Sequence, residues 1–150
     1  MLSRLFFLGL LLSPSFLFGT TPFSLEGITK LDVVVENNSK LIQDKTVKRL
    51  EKMMHKSLNA LKIKTKEFSP AVLILLISTP KYDPVQLVKA QLMVAEQVRR
   101  RGSEEESFGF TYRMEDLFEP ESLHEDMIES LEFLLGEFSD QYKEDNGGDE

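Results

Sequence analysis

Three groups of side chains have the types and spacing to do chemistry. Arg99-Arg100-Arg101 is a run of three guanidinium groups. Such a run can hold phosphate, anionic lipid or nucleic acid through charge-assisted hydrogen bonds. Glu104-Glu105-Glu106 follows after two residues, within one Debye length of about 8–10 Å, so it cancels much of that field. Pairing of the two triplets inside the chain is the first reading of Arg99, Arg100 and Arg101; an anion-binding site is the second. His124 stands near Glu121 and Glu125, but zinc needs three or four ligands, and the only other histidine, His55, lies far along the chain. His124 therefore reads as an exposed first-turn histidine, and no metal site is assigned. Glu115, Asp116, Glu119 and Glu121 could supply an acid/base pair only if their environments drove their proton affinities apart. The chain has no tryptophan for a sugar platform, no Gly-x-Ser-x-Gly and no phosphate-cradling glycine loop. No catalytic residue and no cofactor is assigned.

The address of the protein is more legible than its chemistry. Met1 to Arg4 is a short positive start, Leu5 to Phe18 is nearly all apolar, and Gly19 is small. That is the layout of a secretory signal peptide. The run is short of the roughly 20 apolar residues that span a bilayer. The expected division is a signal at 1–19, a lead-in at 20–27, one domain at 28–143 and a disordered acidic tail at 144–150. The expected location is periplasmic or secreted, with membrane attachment only if the signal stays uncleaved. There is no cysteine, which excludes disulfides, thiolate metal sites and a lipid on an N-terminal cysteine. Charge is unevenly spread: residues 20–114 balance at +5 and residues 115–150 at −13. Such asymmetry marks either an interaction surface or two regions that face each other in one fold. The net charge of −7 and the export signal argue against a nucleic-acid partner.

Periodicity then supplies the elements. Residues 29–36 alternate, with Leu31, Val33 and Val35 on one side and Val34 as the lone apolar residue on the other, a half-buried strand. Val47, Leu50, Met54, Leu58 and Leu61 recur at helical spacing, with Asp44 as the candidate N-cap and Lys45, Arg49, Lys52 and Lys56 as a basic stripe. Residues 71–78, AVLILLIS between two prolines, predict a central strand buried on both faces. Residues 85–101 satisfy both helix and strand, but Phe108, Phe110, Tyr112 and Met114 alternate after Gly102. A hairpin with a loop at 102–104 matches Arg101 with Glu105, Arg100 with Glu106, Val98 with Phe108, Val94 with Tyr112 and Leu92 with Met114. Opposite charges and apolar pairs then agree, as cross-strand register requires. The aromatic row Phe108, Phe110, Tyr112 is expected in the core. Ser122 to Glu125 reads as a capping box, followed by a helix with Ile128, Leu131, Leu135, Phe138 and Tyr142 as its stripe. Leu76 and Leu131 are expected core positions.

The order is strand, helix, three strands, helix. It predicts an α+β two-layer sandwich: a mostly antiparallel four-stranded sheet with two amphipathic helices on one face. The basic first helix and acidic second helix would attract across their seam, by about 0–1 kcal/mol per exposed pair. This layout, with Phe138, Tyr142 and Asn146 at four-residue spacing, resembles a loose group of small exported bacterial proteins of uncharacterised function. Those carry a tryptophan in the fourth strand, which this chain lacks. The resemblance implies an envelope-associated, non-enzymatic domain and carries over no site residue. The functional expectation is a non-catalytic exported binding or assembly module with a protein partner. The alternatives are a small envelope hydrolase using carboxylates, or a membrane-surface module held by an uncleaved signal. A contiguous apolar patch on the uncovered sheet face would favour the first.

Overall fold

A computed structural model describes residues 24–65 and 67–147, with Tyr82 described by its backbone alone. The expected signal peptide lies outside these residues. The elements are β1 (Asp32–Asn37), α1 (Asp44–Ala60), β2 (Val72–Ser78), β3 (Lys81–Tyr82), β4 (Val85–Gln86), β5 (Val88–Arg99), β6 (Glu106–Phe118) and α2 (Leu123–Asp145). Four strands form one sheet in the order β1-β2-β5-β6, while β3 and β4 make a small separate hairpin. β1 and β2 run parallel across the α1 connection, and the other two pairings are antiparallel. The α+β class, the mostly antiparallel sheet and the two helices are therefore as the sequence predicts.

Alternation decides what each strand buries. Leu73, Leu75 and Ile77 of β2 and Val88, Ala90, Leu92 and Val94 of β5 are fully buried. They share one core with Leu50, Met54 and Leu58 of α1 and Met127, Leu131, Leu134 and Phe138 of α2, so both helices cover that face. Val72, Ile74 and Leu76 point the other way and stay partly exposed. β2 is thus interior to the sheet but not buried on both faces, and Leu76 is not a core position. An unbroken apolar run hides this difference, because both faces of β2 are apolar while only one meets helices.

Both helix starts differ from their sequence signals. Gln43, not Asp44, is the N-cap of α1, and no side chain caps it. Ser122 is the N-cap of α2 but makes no side-chain cap bond. Asp126 instead accepts from the backbone N–H groups of Glu121 and Ser122, both at 2.8 Å, and this carboxylate at a helix start also complements the helix dipole. Across the helix seam, none of the ion pairs among the described residues joins α1 to α2. Its polar contacts run through His124: Nδ1 lies 2.8 Å from Thr46 Oγ1 and Nε2 lies 3.3 Å from Arg49. A guanidinium only donates, so this geometry suits a neutral ring that donates from Nδ1 to Thr46.

The packed unit also reaches past the expected boundaries. Leu25 is fully buried and Ile28 nearly so, although 20–27 reads as a lead-in. α2 continues to Asp145, and Asp145 and Asn146 bind the first described residues. Four-residue spacing places Phe138, Tyr142 and Asn146 on one helix face. The Phe138 ring meets Tyr112 edge-on at 5.3 Å and stacks with Tyr142 at 6.4 Å. Tyr142 donates its hydroxyl to the Ile28 carbonyl at 2.9 Å. The Asn146 amide donates to the carbonyls of Leu25 and Tyr142 and accepts from the Gly27 N–H. These three residues form a clamp for the entering chain.

Candidate functional site

The sheet face opposite the helices exposes a group of apolar side chains from neighbouring strands. Paired residues on neighbouring strands share a face, so the register lays out the open face in rows. One row is Asp32, Val72, Ala95, Phe110; the next is Val34, Ile74, Met93, Arg113; the next is Glu36, Leu76, Gln91, Glu115. Phe108 at 65% exposure, Phe110 at 57% and Val34 at 45% stand among the half-buried Val72, Ile74 and Leu76. A contiguous apolar patch on one face is informative in a way that scattered surface leucines are not.

A polar cluster bounds the patch. Glu115 Oε2 accepts from Gln91 at 3.0 Å, lies 3.1 Å from Lys89 Nζ and accepts from Arg113 at 3.0 Å. The Lys89 bond, then that of Arg113, lowers the proton affinity of Glu115. Beyond the cluster Leu117 stands alone, 52% exposed.

The other boundary is an arm. β2 pairs with β5 only as far as Ala95, so residues 96–99 and 106–109 pair with each other alone and project past β2. Arg99, Arg100 and Arg101 sit at the exposed tip of this arm. Arg99 faces Glu106 and bonds it at 3.0 Å. Arg100 and Arg101 belong to a loop, closed by the Ser103 N–H donating to the Arg100 carbonyl, and make no ion pair among the described residues. The expected matches of Arg100 with Glu106 and Arg101 with Glu105 do not form.

A β-bulge accounts for this shift. Leu92 faces Met114 and Val94 faces Tyr112, as the sequence predicts, but Ala95 then faces Phe110, leaving Thr111 as an extra residue. Beyond it the register slips by one: Val98 faces Ser107 rather than Phe108. The slip also changes the side to which the strand's residues point. Phe108 and Phe110 turn to the open face instead of entering the core with Tyr112, which is 2% exposed. One inserted residue thereby makes the patch. The Thr111 carbonyl accepts from the Ser24 N–H at 3.2 Å, so the clamped chain start lies beside Phe110. On the far side of the arm, a Cβ on Gly109 would come within 2.8 Å of Val98 Cγ2; glycine lets Val98 lie across the strand pair.

Among the described residues, no three His, Asp or Glu side chains converge as a metal site, and no helix is long and apolar enough to cross a membrane. Neither a protein-family model nor a curated protein matches this chain. Among solved structures, a minor lipoprotein from Acinetobacter baumannii aligns over 78% of this chain and 92% of its own, at 15% identity and a TM-score of 0.30. A likeness at this level does not extend to function.

Proposed function

We propose that this chain is a non-catalytic, exported binding module that docks a protein partner on the open sheet face at the base of its arm. The observation that carries this reading is the bulge-driven exposure of Phe108 and Phe110 beside the apolar row Val72, Ile74 and Val34. Aromatic residues at the centre of a patch, ringed by polar groups such as the Glu115 cluster, match the anatomy of protein interfaces. The export part of the reading rests on the residue pattern of Met1 to Gly19. The hydrolase alternative gains no support: every described Asp and Glu keeps contact with solvent, so burial sets no carboxylate apart as an acid.

The test pairs a tagged wild-type chain with the double variant Phe108→Ser, Phe110→Ser, each exported and recovered from its own envelope. We expect the wild type to retain a specific protein that the variant loses, with the two melting alike. An unchanged set of bound proteins would overturn the reading. Equal loss of binding to protein-free phospholipid vesicles would move the patch to the membrane-surface alternative.

A further inference from the structure

We propose that the outer edge of β6 takes a second copy of this chain, the two β6 strands pairing antiparallel about Met114 to join both sheets into one. β6 ends the four-stranded sheet and has β5 on one side only. The Thr111 carbonyl, which accepts from the Ser24 N–H, points off the free side. The C=O of one residue and the N–H of the next point opposite ways across a strand. Tyr112 therefore turns its N–H and C=O to β5, while Arg113, Glu115 and Leu117 turn theirs outward. No described residue bonds these six outward groups. A free edge of this kind is a template for another strand, and residues 113–117 carry neither proline nor lysine to blunt it. The edge is separate from the patch at Phe108 and Phe110, so this inference does not rest on the open-face reading.

Charge selects the register. A two-fold pairing sets residues equally far from its central residue opposite each other. Centring it on Arg113, Glu115 or Asp116 would put that charge opposite its own copy. Centring it on Met114 puts Arg113 opposite Glu115 of the second copy, twice over. Arg113 already bonds its own Glu115 at 3.0 Å, and both side chains are about half exposed. The four charges would thus alternate in sign around the axis, and opposite charges directly across favour a strand pair. The same register joins the outward N–H and C=O groups of Arg113 and Glu115 in backbone hydrogen bonds. The other edge strand, β1, offers no such match. Asp32 and Glu36 lie on either side of Val34, so a pairing about Val34 would set acid against acid.

The register chosen by charge also covers apolar side chains on both faces. On the open face, the isolated and half-exposed Leu117 comes opposite Thr111 of the second copy and beside that copy's Phe110. On the helix side, Met114 is only partly buried and would meet its own copy. α2 runs back along β6, and its Phe138 meets Tyr112. Phe133 lies five residues earlier, about 7.5 Å along the helix, which is about two strand residues and level with Met114. It is 48% exposed and lines a groove with Asp116 and Phe118, on the β6 side of the helix. Phe133 and its copy would therefore close over the axis. Glu129 and Glu137, one turn to either side of Phe133, bring like charge to the same seam, so an affinity in the micromolar range is expected. Because one patch serves both copies, the assembly closes at a dimer and does not grow into a fibre.

The first experiment is sedimentation equilibrium of the exported chain from about 5 to about 500 μM, a range that brackets micromolar association. We expect the mass to rise from one chain towards two and to stop there. Arg113→Glu should weaken the dimer by about tenfold or more, because it sets like charges opposite each other twice. Arg99→Glu changes net charge equally at the arm tip and should weaken it by less than about twofold, because distant charges contribute far less than close pairs. The mass of a single chain throughout would overturn the proposal. So would equal weakening by the two variants, once thermal melts show that both are folded.

A cross-link tests the register without touching Arg113. The chain has no cysteine, so Met114→Cys gives a lone thiol at the axis. There the Cα atoms of a non-hydrogen-bonded pair lie about 4.5 Å apart, within disulfide reach. Leu117→Cys gives an equally lone thiol three residues from the axis, about 20 Å from its copy. Under air oxidation we expect Met114→Cys to form the covalent dimer at least about tenfold faster than Leu117→Cys, because pairing raises the local concentration of only one of the two thiols. Equal rates, or faster linkage of Leu117→Cys, would overturn the register. Amide exchange tests the edge itself. The N–H groups of Arg113 and Glu115 should be protected at the high end of the concentration range and open at the low end. Protection at both ends would mean that residues of the same chain already occupy the edge, and would overturn the proposal.

Discussion

The two faces of the four-stranded sheet come from the same strands, yet helices cover one and not the other. On the covered face Leu73, Leu75, Ile77, Leu92 and Val94 are fully buried beneath α1 and α2. On the open face their sequence neighbours Val72, Ile74 and Leu76 are just as apolar and keep contact with solvent. Apolar character alone therefore does not mark the core of this protein. What separates the faces is which one the helices can reach. The excess apolar surface on the other face is available for a partner.

Truncation across one strand tests this contrast most strongly. Leu73→Ala, or Leu131→Ala on α2, should destabilise the fold by about 2–5 kcal/mol, the range for a cavity in a packed core. Leu76→Ala should cost less than about 1.5 kcal/mol, because a half-exposed side chain leaves no closed cavity. Urea denaturation of the three variants measures the difference. Equal losses at Leu73 and Leu76 would mean that something already covers the open face.

The chain start is the next contrast, since polar bonds from the end of α2 add to the burial of Leu25 and Ile28. Asn146→Ala removes the bonds to Leu25, Gly27 and Tyr142. At about 0.5–1.5 kcal/mol for a typical bond, and with partial access of water, a loss of about 1–2 kcal/mol is expected. Tyr142→Phe, which removes only the bond to Ile28, should cost about 1 kcal/mol. Faster hydrogen exchange at Gly27 in Asn146→Ala, with core amides unchanged, would locate the loss at the clamp. Uniform acceleration would instead make the clamp part of the global unit.

These contrasts also explain what could be read in the sequence. Periodicity identifies β1, β6 and both helices; β2 is legible as an apolar run between prolines, and β5 only through its match to β6. The hairpin register was legible at Leu92–Met114 and Val94–Tyr112, where large apolar residues face each other. It failed past Thr111 because the bulge there has no distinctive residue, and the charge triplets fit the unbulged register equally well. The three arginines therefore read at the right tip, with Arg100 and Arg101 matched to the wrong partners. Residues 24–28 have no period to read; the bonds that fix them come from residues more than 80 positions away.

At the arm tip the pairing should be weak but measurable. Exchanging charges at Arg99 and Glu106 singly should destabilise, and exchanging both should recover most of the loss. Both side chains are about half exposed or more, so the coupling should stay below about 1 kcal/mol and shrink in high salt. Arg101 with Glu105, and Arg100 with Glu106, should show no such coupling. A coupling there would mean that the unbulged register is populated, which would return Phe108 to the other face.

The smallest expected effect is a titration at the opposite edge of the sheet. Glu67 bonds Lys30 at 2.6 Å and Lys64 at 2.8 Å, bridging the lysines on either side of the Lys30–Lys64 contact that extends β1. The hydrogen bond from Lys30 and then that from Lys64 pull its pKa from the ordinary 4.5 to about 2. A folded-state value below the unfolded one means that the unfolded chain takes up the proton first as pH falls. The contribution of Glu67 is therefore fully present above pH 4.5 and is lost as pH falls through about 2. Glu67 is open to water, so its two pairs are screened and add little at neutral pH. Glu67→Gln should leave the melting temperature nearly unchanged at pH 7 and flatten its decline between pH 4.5 and about 2. Carboxyl NMR of the folded wild type reads the same linkage directly. A Glu67 midpoint near 4.5 would show that the lysine bridge does not persist in water, and that the edge beside β1 is held by its backbone hydrogen bonds and the buried Leu31 alone.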